Sequence, residues 1–166
     1  MKRSLMLSIS AFTVFVCLMF VFYNPTIAGD FSNQTFSDGE VFTPTEGVFD
    51  FKVCTVRSPN AKNYTAQVAS SGHTVLVDET GECCINVIQW DRMLNSQKDR
   101  KESFIKGELE KPSWSVDGVC IHQIDFIFSD SMYAAYVRNP STNTGVYIAT
   151  PDEQTTADIA NSLVFQ

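Results

Sequence analysis

Four cysteines and two histidines hold the reactive side chains of this chain's body: Cys54, Cys83, Cys84, Cys120, His73 and His122. In an oxidising compartment an even set of four thiols reads first as two disulfides, with three connectivities open. Strand parity narrows the choice. Cys83 and Cys84 are neighbours, so on a strand they point to opposite faces and serve different layers. Cys83 shares its face with Ile85 and Val87, and Cys120 with Ile124, Phe126 and Phe128; Cys54 goes with Asp50 and Lys52, and Cys84 with Asn86. The expected bridges are therefore Cys83 to Cys120 and Cys54 to Cys84. A second reading is a metal or thiol-redox site. Cys120 and His122, two apart on one strand face, would join His73 and either Cys84 or Cys83 as a tetrahedral N/S set for zinc or copper, although the spacing matches no finger or knuckle pattern. A third reading makes Cys120 a nucleophile with His122 as its base. Their backbones lie roughly 6–7 Å apart on a strand, and the sequence names no third group to orient the imidazole.

The elements that must position these residues follow from apolar spacing. Residues 48–56 alternate, with Phe49, Phe51 and Val53 opposed to Asp50, Lys52 and Cys54, as in one half-buried strand. Residues 57–72 stay open between a short helix and a strand. Residues 73–77 and 83–90 are β-branched runs joined by Asp78-Glu79-Thr80-Gly81-Glu82, a hairpin with a bulged loop. The charged stretch 91–111 predicts an interrupted helix, best formed over 99–110, with Met93, Leu94, Phe104, Ile105 and Leu109 on its apolar face and Pro112 after it. Residues 119–128, 132–138 and 146–149 predict three consecutive antiparallel strands. Thr150-Pro151-Asp152-Glu153 then opens a C-terminal helix, with Thr156, Ile159, Ala160, Leu163 and Val164 facing the core. The fold class is α+β: an antiparallel sheet of about five to six strands covered by the C-terminal helix and the charged helix, in two or three layers.

Residues 4–23 contain no charge and follow Lys2 and Arg3, which makes them long enough to span a bilayer with the N-terminus inside and the C-terminus outside. The expected organisation is a membrane segment over 1–28, a polar stalk over 29–45 and an extracytoplasmic domain over 46–166. We read 4–23 as an uncleaved signal anchor, a transmembrane helix with the domain outside; cleavage after Ala28 would secrete the domain instead. Cys17 lies inside this run as a small apolar residue. Beyond Gly29 ten basic residues stand against nineteen acidic ones, net −9. A body this acidic repels phosphate backbones, so nucleic acid is excluded as a partner. Asn33 and Asn63 head glycosylation sequons on the outward side.

The C-terminal half, with its YAAYVRNPSTNTGVYIATPDEQTTADIANSLVF ending, resembles small membrane-anchored or secreted domains of methane-producing archaea. Their architecture is similar to the PsbP-like α/β/α sandwich, so the resemblance implies a sheet with terminal helix cover over roughly 46–166. Its residues Tyr136, Asn139, Asn143, Gly145, Pro151, Thr156, Ala160, Asn161 and Leu163 are turn, cap and packing residues, which imply fold and no chemistry; the body cysteines depart from the pattern. Trp90 and Trp114 flank the charged helix, either as an aromatic platform or as half-buried strand-end residues. No phosphate loop, nucleophile elbow or zinc-protease helix motif is present. The expected function is a non-enzymatic binding module, without a cofactor, that is anchored through 4–23 and contacts an envelope protein or a small ligand.

Overall fold

The structure is a computed structural model that describes residues 38–43, 47–59, 63–70, 72–124 and 132–166. The run 4–23, Cys17 and Asn33 lie outside the described residues, as do Phe126 and Phe128. Among the described residues no helix is long and apolar enough to cross a membrane.

The fold is α+β with antiparallel sheets. The larger sheet takes strands β1 (Val41–Phe42), β4 (Tyr64–Ser70), β5 (His73–Asp78), β6 (Cys84–Gln89), β7 (Ser113–Val116), β8 (Val119–Ile124), β9 (Met132–Asn139) and β10 (Thr144–Thr150). Their spatial order is β1-β4-β5-β6-β10-β9-β8-β7. The smaller sheet orders β11 (Val164–Phe165), β3 (Cys54–Arg57) and β2 (Val48–Asp50). Helix α1 (Asn95–Leu109) follows a 3-10 turn at Trp90–Arg92, and α2 (Glu153–Asn161) follows β10. Eight strands in the main sheet exceed the expected five to six, because β1 and β7 extend its two edges.

The chain lays down β4-β5-β6, crosses with α1 to the far edge, and walks back through β7, β8 and β9 so that β10 closes against β6. Central strands covered on both faces need no polar alternation. β10, with all seven residues buried, is the clearest case. One face of the sheet carries Cys83, Ile85, Val87, Ile121, Val146 and Ile148 against α2 and the smaller sheet. The other carries Val75, Val77, Cys84, Ala134, Tyr147 and Ala149, with Ile88, Trp90 and Met93 beside them packed against Ile105 of α1.

Four sequence expectations are corrected. The run 48–56 is a tight hairpin, not one strand: Asp50 Oδ1 accepts from the Lys52 amide at 2.8 Å, and Lys52 turns the chain at φ 64°. The turn inverts the parity beyond it, so Cys54 joins Phe49 and Phe51 in the core instead of lying with Asp50 and Lys52. Strand β7 was not expected. Asp117 (φ 48°) and Gly118 (φ 82°) make the two-residue turn to β8, and Asp-Gly is the sequence signal for that turn. The 29–45 stretch already contributes β1, whose Val41 and Phe42 pair with Thr65 and Tyr64, so the domain begins before residue 46. Leu94 (44% exposed) and Leu109 (39% exposed) stay outside the core that Met93 and Ile105 enter.

Helix α2 is shorter than its apolar spacing suggests. It ends at Asn161, and Val164 pairs with Thr55 at the edge of the small sheet instead of facing the core. Its cap is Asp152, two residues after Thr150. The carboxylate accepts from the Thr155 amide and hydroxyl, each at 2.7 Å, which holds the Asp152 carboxyl below its usual range. Asp152→Ala is expected to lower the unfolding free energy by about 1 kcal/mol. Asp152→Asn should retain most of it, as read from urea unfolding midpoints.

Candidate functional site

A groove of about 670 Å³ runs between α1 and β9, with Trp90, Tyr136 and Arg138 on the sheet side and Glu102, Lys106 and Leu109 on the helix side. Strand alternation puts Tyr136 and Arg138 on the same face of β9. Trp90 follows β6, which is separated from β9 by β10. Gly145 on β10 lets the two aromatics meet. It lies opposite Ile88 on one side and Arg138 on the other, and a Cβ there would fall 2.3 Å from Tyr136 Oη and 2.8 Å from its ring. The tyrosine therefore crosses the bare backbone, and Trp90 Nε1–H donates to its oxygen at 3.1 Å.

The polar groups of this wall are ordered. The Arg138 guanidinium stands 5.4 Å from the Trp90 ring centre and donates from Nη2 to Asn143 Oδ1 at 2.7 Å. Asn143 takes a left-handed conformation (φ 48°) and donates to Asp91. Burial raises the Tyr136 phenol above its ordinary range, against the lowering effects of the Trp90 hydrogen bond and the Arg138 charge. The phenol is therefore neutral, accepts from Trp90 and keeps its own O–H to donate. Asp99, Glu102 and Glu110 add negative charge along the helix side. Such a wall can hold an apolar body on aromatic rings while satisfying an acceptor and a cation at its rim. The signal in the sequence was the alternation Tyr136-x-Arg138 with a glycine on the next strand; it read as turn and packing residues.

The cysteines and histidines do not form the expected set. His122 pairs with Ala134, Ala134 with Ala149, and Ala149 with Cys84. Three strand spacings, roughly 14 Å, therefore separate the Cys120/His122 side from the Cys84/His73 side. Among the described residues no group of three or more Cys, His, Asp or Glu is placed to hold a metal ion. On the inner side His73 Nε2 donates to Asn86 Oδ1 at 2.9 Å, and Asn86 Nδ2 donates to Cys84 Sγ at 3.0 Å, all buried beneath α1. Burial, aided by the charge of Lys101 and opposed by the Asn86 hydrogen bond, lowers His73 to about 3. It is a neutral core imidazole.

The expected disulfides also fail on layer. Cys83 faces α2 whereas Cys120 is on the α1 face, and Cys54 packs with the α2-side core whereas Cys84 packs with the opposite one. No disulfide joins any two of these four cysteines. The expected separation of Cys83 from Cys84 does hold, for the parity reason. Burial, with the Asp50 charge adding to it, pushes the Cys54 thiol up to about 12. Cys83 and Cys84 are buried too, and Cys120 alone of the four is exposed. Brief maleimide labelling of the native chain should modify Cys120 and leave Cys54, Cys83 and Cys84 unlabelled until denaturation. A Cys83–Cys120 or Cys54–Cys84 peptide in a non-reducing map would contradict this placement.

Trp114 and Trp90 lie on opposite faces of the sheet and make no common platform. Trp114 is half-buried on the α2 side, where its Nε1–H donates to Glu153 at 2.8 Å and its ring meets Tyr133 edge-on. Asn63 is exposed at the start of β4, donating to Glu79 Oε2 at 3.4 Å and accepting from the Thr43 hydroxyl. Comparison with known protein families, with curated proteins and with solved structures finds no match to this chain.

Proposed function

We propose that the chain is a membrane-anchored or secreted extracytoplasmic binding module, without enzymatic activity, that holds a small ligand or a segment of another envelope protein between α1 and β9. The groove carries this reading. Its volume, about 670 Å³, lies within the range of roughly 300–1,000 Å³ used for ligand sites. Its composition suits a ligand with an apolar ring or chain for Trp90, an acceptor for the Tyr136 hydroxyl, and a positive group for Glu102 and Glu110. Export and anchoring rest on the charge-free run 4–23 behind Lys2 and Arg3, and on the acidic body that follows it. The resemblance of the C-terminal half to anchored or secreted domains points the same way.

The test is a photo-crosslinker at Ser103, a groove residue, in the full chain within its own envelope. One adduct of defined mass is expected, and it should disappear when Glu102→Lys and Arg138→Glu are combined at an unchanged melting temperature. No adduct, or one indifferent to the reversals, would remove the groove as the site. Protease shaving of intact cells checks export: the domain should be cut from outside.

A further inference from the structure

Cys120 and His122 sit away from the groove, and nothing in the binding reading uses them. Side chains two apart on β8 share a face, and Ile121 between them enters the core on the other side. The backbone spacing closes to a side-chain contact, with Cys120 Sγ 3.5 Å from His122 Nε2. The missing orienting group is supplied by the segment after α1: His122 Nδ1 lies 3.4 Å from the Lys111 carbonyl oxygen. A carbonyl only accepts, so this contact puts the proton on Nδ1 and leaves the Nε2 lone pair toward the thiol. The imidazole is 6% exposed and held, while the sulfur it faces is exposed. A buried, oriented base beside an accessible nucleophile is the arrangement thiol chemistry requires.

We propose that Cys120 is a thiol–disulfide exchange site, with His122 as its base, which accepts a low-molecular-weight or protein disulfide from the surroundings. The Cys120 S–H proton passes to His122 Nε2, and the thiolate attacks one sulfur of the incoming R–S–S–R′. A Cys120–S–S–R bond forms as the S–S bond breaks, and its electron pair leaves on R′–S⁻, which takes the proton from His122. Cys120 is oxidised and the incoming disulfide is reduced to one thiol. Among the described residues no resolving thiol is in reach: Cys54 and Cys83 lie behind the sheet, and Cys84 is buried three strands away. The adduct therefore persists until an outside thiol reverses it. The facing positions on β7 and β9 are Ser113, Ser115 and Ala134, which carry no charge. On the α1 side, Lys111 Nζ and Glu108 pair with each other at 3.1 Å.

The experiment exposes the full chain to oxidised glutathione and follows each cysteine by peptide mass mapping between pH 6 and 8. Cys120 is expected to gain the glutathionyl mass while the buried three do not. His122→Gln should slow the reaction at least about tenfold at pH 7, and Cys120→Ser should abolish it. An unassisted thiol quickens about tenfold per pH unit below its pKa of about 8.5; the assisted one should show a flatter profile, made steep by His122→Gln. Equal rates in wild type and His122→Gln overturn the proposal, as does labelling elsewhere than Cys120. Should the variant not fold, a wild-type rate rising tenfold per pH unit overturns it alone.

Discussion

Gly145→Ala is expected to lower the unfolding free energy by about 2–3 kcal/mol and the melting temperature by roughly 6–12 °C. Alanine ordinarily improves on glycine inside a strand, by roughly 0.5–1 kcal/mol, so the sign here is set by packing. The new methyl group would overlap Tyr136, whose hydroxyl stands 2.3 Å and whose ring stands 2.8 Å from the added carbon. The ring can yield only toward the groove, away from the buried β10 beneath it, and doing so breaks the hydrogen bond from Trp90 to its oxygen. Displacing Tyr136 also takes away one wall of the groove, so the variant should lose the Ser103 adduct as well. A double-mutant cycle isolates the cause: in a Tyr136→Ala background the same Gly145→Ala change should cost little or stabilise. Additive costs in that cycle would show that the overlap is relieved elsewhere.

The second large effect is pH-dependent. His73 is buried neutral and its folded value is pushed down to about 3, first by burial, then by the Lys101 charge, with the Asn86 hydrogen bond opposing both. In the unfolded chain histidine takes up its proton near 6.5. Below that pH the unfolded state binds a proton that the folded state refuses, so stability falls as pH falls, by about 1.4 kcal/mol per unit. Above 6.5 both states are neutral and the contribution is flat. Between pH 6.5 and 5 the wild type should therefore lose about 2 kcal/mol that His73→Gln does not. Denaturant unfolding of the two chains at matched pH measures this directly, since the carboxylates titrate alike in both. Parallel stability curves would mean that His73 reaches solvent in the folded state.

Features set by local chemistry were legible in the sequence. The loop 78–82 reads as a bulged hairpin, and Asp78 Oδ1 indeed accepts from the amides of Glu82 and Cys83 to hold it. The helix after Pro151 was evident from its acids and apolar spacing, though the cap moved from Thr150 to Asp152, because Thr150 turns its hydroxyl to Thr156 and the Asp152 carbonyl instead. The hairpin between β7 and β8 carried a readable signal in Asp117-Gly118. The turn at Lys52 carried none: a lysine at φ 64° has no sequence signature. That one residue reversed the face of Cys54 and so removed the expected pairing with Cys84.

By itself the sequence determined the class, the alternation that sends Cys83 and Cys84 to different layers, and the same-face spacing of Cys120 with His122 and of Tyr136 with Arg138. These depend only on the two-residue period of a strand. Tertiary structure alone decided that β10 lies beside β6 so that Gly145 passes beneath Tyr136, that the Lys111 carbonyl reaches His122, and that His73 and His122 lie on opposite sides of Ala134 and Ala149. Which strands become neighbours depends on how whole faces bury against α1 and α2, and that free energy belongs to residues far apart along the chain.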